Sequence, residues 1–470
     1  METNTSLNLF ERLNHWIKES ITIKLMSIGF LVIILLIPSA WIESLIVERQ
    51  NRAESVIQEI SGKWSGEQTI VGPILVIPFI KREKIDKGKD GIEIREWTEK
   101  AFFLPEKLDV TGKVNPQILH RGIFEAAVYE SELDLAANFT APDFKKLNIA
   151  EADVLWKESY LILGLNDLRG ISKNPTMKIG NQELLGEPSS QIGLTTQYKN
   201  ATDSFDVNTN GTTSENGIVA PLGWHSQEDF SGSASIKLKM KGSTLLYFVP
   251  AGKTTHVSLQ GPWASPSFDG NFLPSSREVT EAGFTAQWDV LHYNRPFSQQ
   301  WSGANQKLSG SEFGVKLLIP VDQYQKSMRT SKYGVLVILL TFISLFMVEI
   351  MRKVRIHPFQ YILIGAALII YYSLLLSFSE HVGYNMAYFI ATAATVILIS
   401  LYSTTFLTDR KLVLIFSSLL VFFYGFIFVI IQLQDYSLLL GSLGLFVIIG
   451  LLMYFSKKIK WYEESPHPKP

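Results

Sequence analysis

Charge is distributed so unevenly along these 470 residues that the chain has to divide between two solvents. Residues 333–455 carry nine charged side chains in 123 positions, whereas residues 47–331 carry 30 Lys plus Arg against 34 Asp plus Glu. The first stretch suits lipid and the second suits water, which the overall net charge of -1 conceals. Because both signs are interspersed in the polar stretch, it offers no one-signed patch, and nucleic acid is not expected as a partner. There is no cysteine, so disulfides, thiolate metal sites and cysteine nucleophiles are excluded.

The apolar run 21–37, broken only by Lys24 and followed by Pro38-Ser39-Ala40, reads as a membrane anchor rather than a cleaved signal. Beyond it Ile42, Leu45, Ile46, Ala53, Val56, Ile57, Ile60 and Trp64 fall at helical spacing, which a cleaved signal has no use for. They predict an amphipathic helical stalk over 48–71 that Gly72-Pro73 terminates. Five further apolar runs, 334–351, 361–378, 384–407, 412–431 and 436–455, are each long enough to cross a bilayer, giving six transmembrane helices in all. Positive charge sits in Arg12 and Lys18, in Arg352, Lys353 and Arg355, in Arg410-Lys411, and in Lys457, Lys458 and Lys460. The loops at Glu380-His381 and Gln434-Asp435 have none, so both termini are expected in the cytoplasm and the large domain outside, in the periplasm. The expected divisions are a tail at 1–20, the first span at 21–47, the stalk, an outer domain at 72–331, a five-helix domain at 332–455 and a tail at 456–470.

The outer segment changes to short apolar or alternating runs bounded by Gly, Pro, Asn and Ser. Residues 74–80 and 92–104 flank a polar tip at 86–91 and read as a long hairpin. Similar runs at 123–129, 160–165, 233–240, 244–249, 254–259, 284–293 and 313–319 predict an antiparallel β-rich, sandwich-like domain of one or two modules. The recurrence of Phe103-Leu104-Pro105 as Phe272-Leu273-Pro274 is what suggests a duplication. The polar stretch 195–217 reads as an exposed loop or a boundary.

Chemical signatures are scarce. The eight histidines, among them His120 and His292, follow no metal-ligand spacing, and neither a Gly-x-Ser-x-Gly elbow nor a phosphate loop occurs. No catalytic, cofactor-binding or metal residues are therefore expected. Glu349, close to Arg352 and Lys353 at a span end, reads as an ion-pair partner, with proton coupling as the alternative. Tyr371, Tyr372, Ser373, Ser377, Thr404 and Thr405 read as helix-packing groups. Trp64, Trp97, Trp156, Trp224, Trp263, Trp288 and Trp301 read mainly as core, a subset being suited to lipid or glycan.

Several blocks resemble the CreD-type bacterial inner membrane proteins. They are Lys24-Leu-x-x-Ile-Gly29, Glu48-Arg49, Arg52, Trp64, Gln68-Thr69 and Gly72-Pro73, then Arg121-Gly122-Ile123-Phe124, Asp167-Leu-Arg169-Gly170-Ile171, Gly242-Ser243, Pro250 and Thr254-Thr255. The most specific runs Trp263-Ala-Ser-Pro266-Ser-Phe268-x-Gly270-x-Phe272-Leu273-Pro274, leading to Gly283-Phe284, Ala286, Trp288 and Arg295. Pro320-Val321-Asp322-x-Tyr324, Arg329, Lys332-Tyr333-Gly334 and Leu340-Thr341-Phe342 close the match. Where the family commonly has Pro-His this chain has Ala264-Ser265, so no role passes to that position.

The resemblance implies a part in cell-envelope integrity and stress response, under a Cre two-component system where one is present, and supplies no reaction. The expected function is non-enzymatic, the outer domain binding or organising an envelope component. The expected partners are the lipid bilayer and an envelope lipid, glycan or protein. A transporter or flippase-like protein for an amphiphile, and an envelope enzyme with dispersed catalytic residues, are the alternatives. Asp167, Arg169, Arg121 and Arg295 are the polar residues of the family-like blocks to locate first, either as a salt-bridge network or as part of a site.

Overall fold

The computed structural model describes residues 21–457 apart from 87–91, 194–195, 199–211, 215, 304–305, 320–322, 353, 408 and 434–436. The tails, with Arg12, Lys18, Lys458 and Lys460, therefore lie outside the described residues, as do Lys353, the Gln434-Asp435 loop, the hairpin tip, Pro320-Val321-Asp322 and most of the 195–217 stretch. The chain falls into two compact units, one of Met1–Glu54 with Val321–Pro470 and the other of Ser55–Pro320.

The first unit is helical. It holds the start of α1 (Ile21–Trp64), then α2 (Gln323–Lys332), α3 (Gly334–Arg352), α4 (Pro358–Val382), α5 (Tyr384–Ser403), α6 (Arg410–Gln432) and α7 (Ser437–Ser456). Among the described residues α1 and α3 to α6 are long and apolar enough to cross a membrane. The sixth expected crossing falls on α7, whose described apolar stretch Leu439–Gly450 is shorter. Local chemistry sets the helix ends. Pro358 opens α4 while His357 Nδ1 accepts from the Phe359 amide at 3.2 Å and Gln360 Oε1 accepts from the His357 amide at 3.0 Å. Asp409 caps α6 by accepting from the Lys411 amide at 2.9 Å, and Gly383 at φ 75° links α4 to α5. Leu35, Phe342, Leu368, Tyr371, Tyr388, Phe416 and Tyr424 fill the interior. Phe30, Phe389, Leu401, Leu414 and Phe446 stay exposed on the outside, the arrangement that a lipid solvent favours.

The second unit is built from strands. In chain order they begin β1 (Gln68–Asp86), β2 (Ile92–Phe103), β3 (Lys107–Arg121), β4 (Phe124–Asn138) and β5 (Tyr160–Leu165). There follow β6 (Ile171–Ile179), β7 (Gln182–Leu184), β8 (Glu187–Ser189), β9 (Thr196–Tyr198), β10 (Thr212–Ser214) and β11 (Gly217–Pro221). The last are β12 (Ser233–Ser243), β13 (Leu245–Phe248), β14 (Thr254–Gly261), β15 (Pro266–Gly270), β16 (Ser276–Thr280), β17 (Gly283–Leu291), β18 (Gln300–Ser302) and β19 (Phe313–Leu317). A nine-stranded sheet runs β15-β19-β13-β1-β5-β11-β8, with β2 joining β1 to β18. An eight-stranded sheet runs β16-β17-β14-β3-β4-β12-β6-β7, and β9 and β10 form a separate ribbon.

Burial alternates along the second half of β4, most of β12 and all of β17, so these stretches present one face inward, and inward residues of both sheets share one core. Ile74, Val76, Ile162, Leu246 and Phe313 from one sheet and Val114, Met240, Val257 and Trp288 from the other are at most 1% exposed within it. Membership of the two sheets interleaves along the chain, and the duplicated Phe-Leu-Pro does not divide them.

Two expectations need correction. The sheets are mixed rather than antiparallel, because β1 pairs in parallel with β13 (Gln68 opposite Leu246) and β14 with β3 (Thr254 opposite Lys107). Parallel pairing needs a long crossover, and these partners are far apart in sequence, so no local turn signal could announce them. The helix ends at Trp64 rather than at Gly72-Pro73, which lies inside β1 at a register shift between Val71 and Ile74. Gly72 is needed there. Its φ is 103°, and a Cβ would lie 2.9 Å from the Ile74 nitrogen and 3.0 Å from the Ile162 oxygen. The expected hairpin forms as β1–β2, in register from Leu75 opposite Phe103 to Asp86 opposite Ile92.

A candidate functional site at the end of the long helix

The last turns of α1 and the first residues of β1 are fastened to three other segments of the second unit by a knot of polar groups. After Trp64 the chain passes through Ser65, Gly66 and Glu67, and its first strand residue, Gln68, is completely buried. The Gln68 amide nitrogen donates to Ser65 Oγ and to the Asp167 carbonyl, both at 2.9 Å, with the Lys241 carbonyl at 3.5 Å. Its oxygen accepts from the Asp167 amide at 3.3 Å. Gln68 therefore satisfies main-chain groups of the 167–170 turn that β-pairing leaves out.

Asp167 returns the connection. Its carboxylate accepts from the Gly66 amide at 3.0 Å, from the Arg169 amide at 3.0 Å, and from the Arg169 guanidinium at 2.9 and 2.7 Å. Burial pushes this carboxyl up, but the Arg169 side chain and the Gly66 and Arg169 amides outweigh it and hold the group below the usual carboxylate range. Gly170 is the point of closest approach, since a Cβ there would sit 2.4 Å from the Lys241 carbonyl oxygen and 2.7 Å from Ser65 Oγ. Gly242 does the same for Tyr129, whose hydroxyl would be 2.3 Å from an added Cβ and donates to the Leu245 carbonyl at 2.7 Å. The Lys241 ammonium stands 4.2 Å from the centre of the Trp64 ring, and the Ser243 amide donates to the Gly66 carbonyl at 3.2 Å. Glu67, half-buried in this turn, is pushed up to about 7 by burial, which Lys316 offsets only in part.

Trp64, Gln68, Asp167, Arg169, Gly170, Gly242 and Ser243 all belong to the family-like blocks, and the fold collects them here. Most of their polar atoms bond to one another, the buried Ser243 hydroxyl having no partner among the described residues, an arrangement that positions backbone rather than reacting groups. The other two residues singled out lie elsewhere. Arg121 pairs with Glu59 of α1, which also accepts from Lys63 at 2.8 Å. Arg295, 6% exposed, donates to the Phe297 carbonyl and to Gln299 Oε1 at 2.6 Å, and Gln299 in turn holds the Leu104 and Pro105 carbonyls at 2.9 and 2.7 Å. Burial lowers this guanidinium to about 10.

Histidines of the strand unit face single carboxylates. His120 faces Glu125 at 3.4 Å on an exposed hairpin. His256 Nδ1 meets Asp289 at 2.8 Å, and Ser275 donates to the other oxygen of that carboxylate at 2.7 Å. The serine therefore donates to the acid and not to the imidazole, the reverse of what an activated nucleophile needs. Among the described residues no His, Asp and Glu group suits a metal ion.

In the helical unit two buried carboxylates repeat one pattern. Glu349 takes the Lys24 ammonium at 2.9 Å and the Tyr361 hydroxyl at 3.1 Å. Glu380 takes the Arg49 guanidinium, with Nε at 2.7 Å, and the Tyr324 hydroxyl at 2.9 Å. The structure thus pairs Glu349 with Lys24 of α1 rather than with the neighbouring Arg352. Sequence reasoning missed Gln68, Tyr129 and Glu380 as anchor points, because each acts on partners 65 to 331 residues away.

Residues 20–462 match the family described as Inner membrane protein CreD. The chain is also 30% identical over 449 residues, 94% of each sequence, to Inner membrane protein CreD of Escherichia coli (strain K12). The family-like blocks that meet at the end of α1 are therefore features of a true relative, and the chain belongs to the CreD family of inner membrane proteins.

Proposed function

We infer that this is a non-enzymatic inner membrane protein that supports envelope integrity under stress, its strand domain binding or organising an envelope component while the helices hold it at the membrane. One observation carries the reading: the family-like polar residues are spent on fastening α1 to the strands, a mechanical task, and not on an open reactive cluster. The topology that goes with it has six crossings, α7 being the sixth, both termini in the cytoplasm, and residues 72–331 as a periplasmic sandwich. An envelope lipid, glycan or protein is the partner.

Two measurements test this. In a strain lacking the protein, resistance to detergent and to cell-wall inhibitors should fall and be restored by the wild-type chain; unchanged resistance on deletion overturns the reading. The cysteine-free chain allows single cysteines to be labelled from outside. Ser302→Cys and Asp435→Cys should react with an impermeant maleimide in spheroplasts and Lys457→Cys should not, and the opposite pattern overturns the topology.

A transporter or flippase-like role draws on one observation. The Tyr424 hydroxyl is buried in the helical unit beside Tyr371 with no hydrogen-bond partner among the described residues, and a group of that kind calls for water or a ligand. Movement of a labelled lipid across proteoliposomes containing the protein, abolished by Tyr371→Phe with Tyr424→Phe, would favour it.

A further inference from the structure

The most specific family-like block, 263–274, does not join the knot at the end of α1. It builds a free rim of the strand unit. β15 is the last strand of the nine-stranded sheet and β16 the last of the eight-stranded one, and each is paired along one edge only, to β19 and β17 respectively. A groove of about 520 Å³ lies between them, lined by Pro266, Ser267, Phe268, Arg277 and Val279. Every residue of β16 is exposed. Its side chains alternate, so Arg277 and Val279 face this groove while Glu278 and Thr280 face a second groove of about 440 Å³ on the other side.

The floor is aromatic and carries a cation. Phe268 is held edge-on against Phe284 and Trp288, with ring centres 6.0 and 5.8 Å away. The Arg277 guanidinium stands 5.9 Å from the Phe268 ring, and among the described residues it meets no carboxylate. Free strand edges are ordinarily blunted by proline, inward charge or a covering loop, because they invite pairing with another chain. Here Pro266 and the charges of β16 leave Leu273 at 71% and Val279 at 46% exposure on the same rim.

We propose that this groove binds an extended peptide bearing acidic side chains, whose backbone adds to the free edge of β16, whose apolar side chain rests on Phe268 and whose carboxylate pairs with Arg277. The open edge selects a main-chain ligand, since only backbone amides can continue a ladder. The unpaired guanidinium sets its sign. The assignment rests on the reading that the strand domain receives an envelope component, and it gives that component a chemical class.

The test uses the full-length protein in lipid nanodiscs and a fluorescein-labelled, carboxy-terminally amidated hexapeptide, Asp-Thr-Val-Thr-Asp-Thr, whose aspartates and valine share one face of a strand. Anisotropy should saturate. Affinity should fall at least tenfold with Arg277→Gln, with Phe268→Leu, and with the peptide whose aspartates are replaced by asparagine, and hold with Lys113→Gln in the second groove. N-methylating alternate amides of the peptide should abolish binding in at least one of the two registers. Absence of saturable binding at millimolar peptide, or binding indifferent to both Arg277→Gln and the asparagine peptide, overturns the proposal. If the wild-type chain restores envelope resistance while no peptide binds, the groove assignment falls and the envelope reading stands. If the peptide binds with the stated dependences while deletion leaves resistance unchanged, the groove stands and the envelope reading falls.

Discussion

Replacing Gln68 by leucine should loosen the end of α1 more than any other single polar substitution in the strand unit. The side chain is completely buried, and leucine fills nearly the same space without its amide. The half-buried Asp167 N–H then loses its partner, and the Asp167 carbonyl keeps only the Gly170 amide at 3.2 Å. Ser65 can rotate its hydroxyl toward another acceptor, and the 3.5 Å approach to Lys241 is worth little. The orphaned N–H costs about 1–3 kcal/mol and the bond lost at the carbonyl about 1 kcal/mol, and the added apolar burial returns about 1 kcal/mol, leaving a net loss of about 2 kcal/mol. For a unit of this size that corresponds to a fall of about 4–8 °C in Tm. The assay is tryptophan-fluorescence melting of the protein in detergent, read beside hydrogen exchange of the 167–170 amides, with Gln117→Leu on an exposed stretch of β3 as the control. A fall of less than about 2 °C, or an equal fall for the control, would refute the reasoning that Gln68 holds the knot.

Three further outcomes follow from the geometry. Glu67 has its folded pKa raised to about 7 by burial, so the native state binds the proton more tightly than the unfolded chain does. Its contribution is full below the unfolded carboxyl value and is lost as pH rises toward 7, by at most roughly 2–3 kcal/mol. Melting at pH 5 and pH 8 should show that Glu67→Gln removes this part of the pH dependence; an unchanged slope counts against it. Glu349→Ala leaves the Lys24 ammonium without its acid and should cost about 3–5 kcal/mol, whereas Lys24→Met with Glu349→Met should recover most of it. Equal melting of the single and double variants would sink that account. Gly242→Ala forces a methyl to 2.3 Å from the buried Tyr129 hydroxyl and should destabilise the strand unit by about 1–3 kcal/mol, relieved by Tyr129→Phe if the hydroxyl is the obstacle.

The parts of this fold that were legible in the sequence are those written within one segment. Apolar runs of 18 or more residues announce crossing helices because no soluble environment accepts them, and α1 and α3 to α6 lie where those runs are. Alternation announced β12 and β17, and the polar tip between two apolar stretches announced the β1–β2 hairpin. The knot was not legible as a unit. Its residues come from 64–68, 129, 167–170 and 241–243, and no spacing rule relates them. The stop of α1 was misplaced for a related reason. Gly72-Pro73 is a strong breaker locally, but Gly66 and Gln68 find hydrogen-bond partners on the distant 167–170 turn and on β12 several residues earlier, and those bonds end the helix first.

The same non-local logic changes what α1 is. Lys24 and Arg49 are 25 residues apart, which at about 1.5 Å per residue separates them by about 38 Å along the helix, a little more than the roughly 30 Å of a hydrocarbon core. Each cation can thus sit at an interface, and each finds a carboxylate from the carboxy-terminal helices, Glu349 at one end and Glu380 at the other. Each carboxylate is further held by a tyrosine hydroxyl, from Tyr361 and Tyr324. A mere anchor needs only an apolar run. Two charged contacts of fixed geometry, one at each end, allow a single rotation and a single depth, because a shift of one residue turns a helix by about 100° and carries both cations off their acids. The first helix is therefore a register-locked member of the helical unit, and the lone charge in its apolar run, Lys24, is the residue that locks one end.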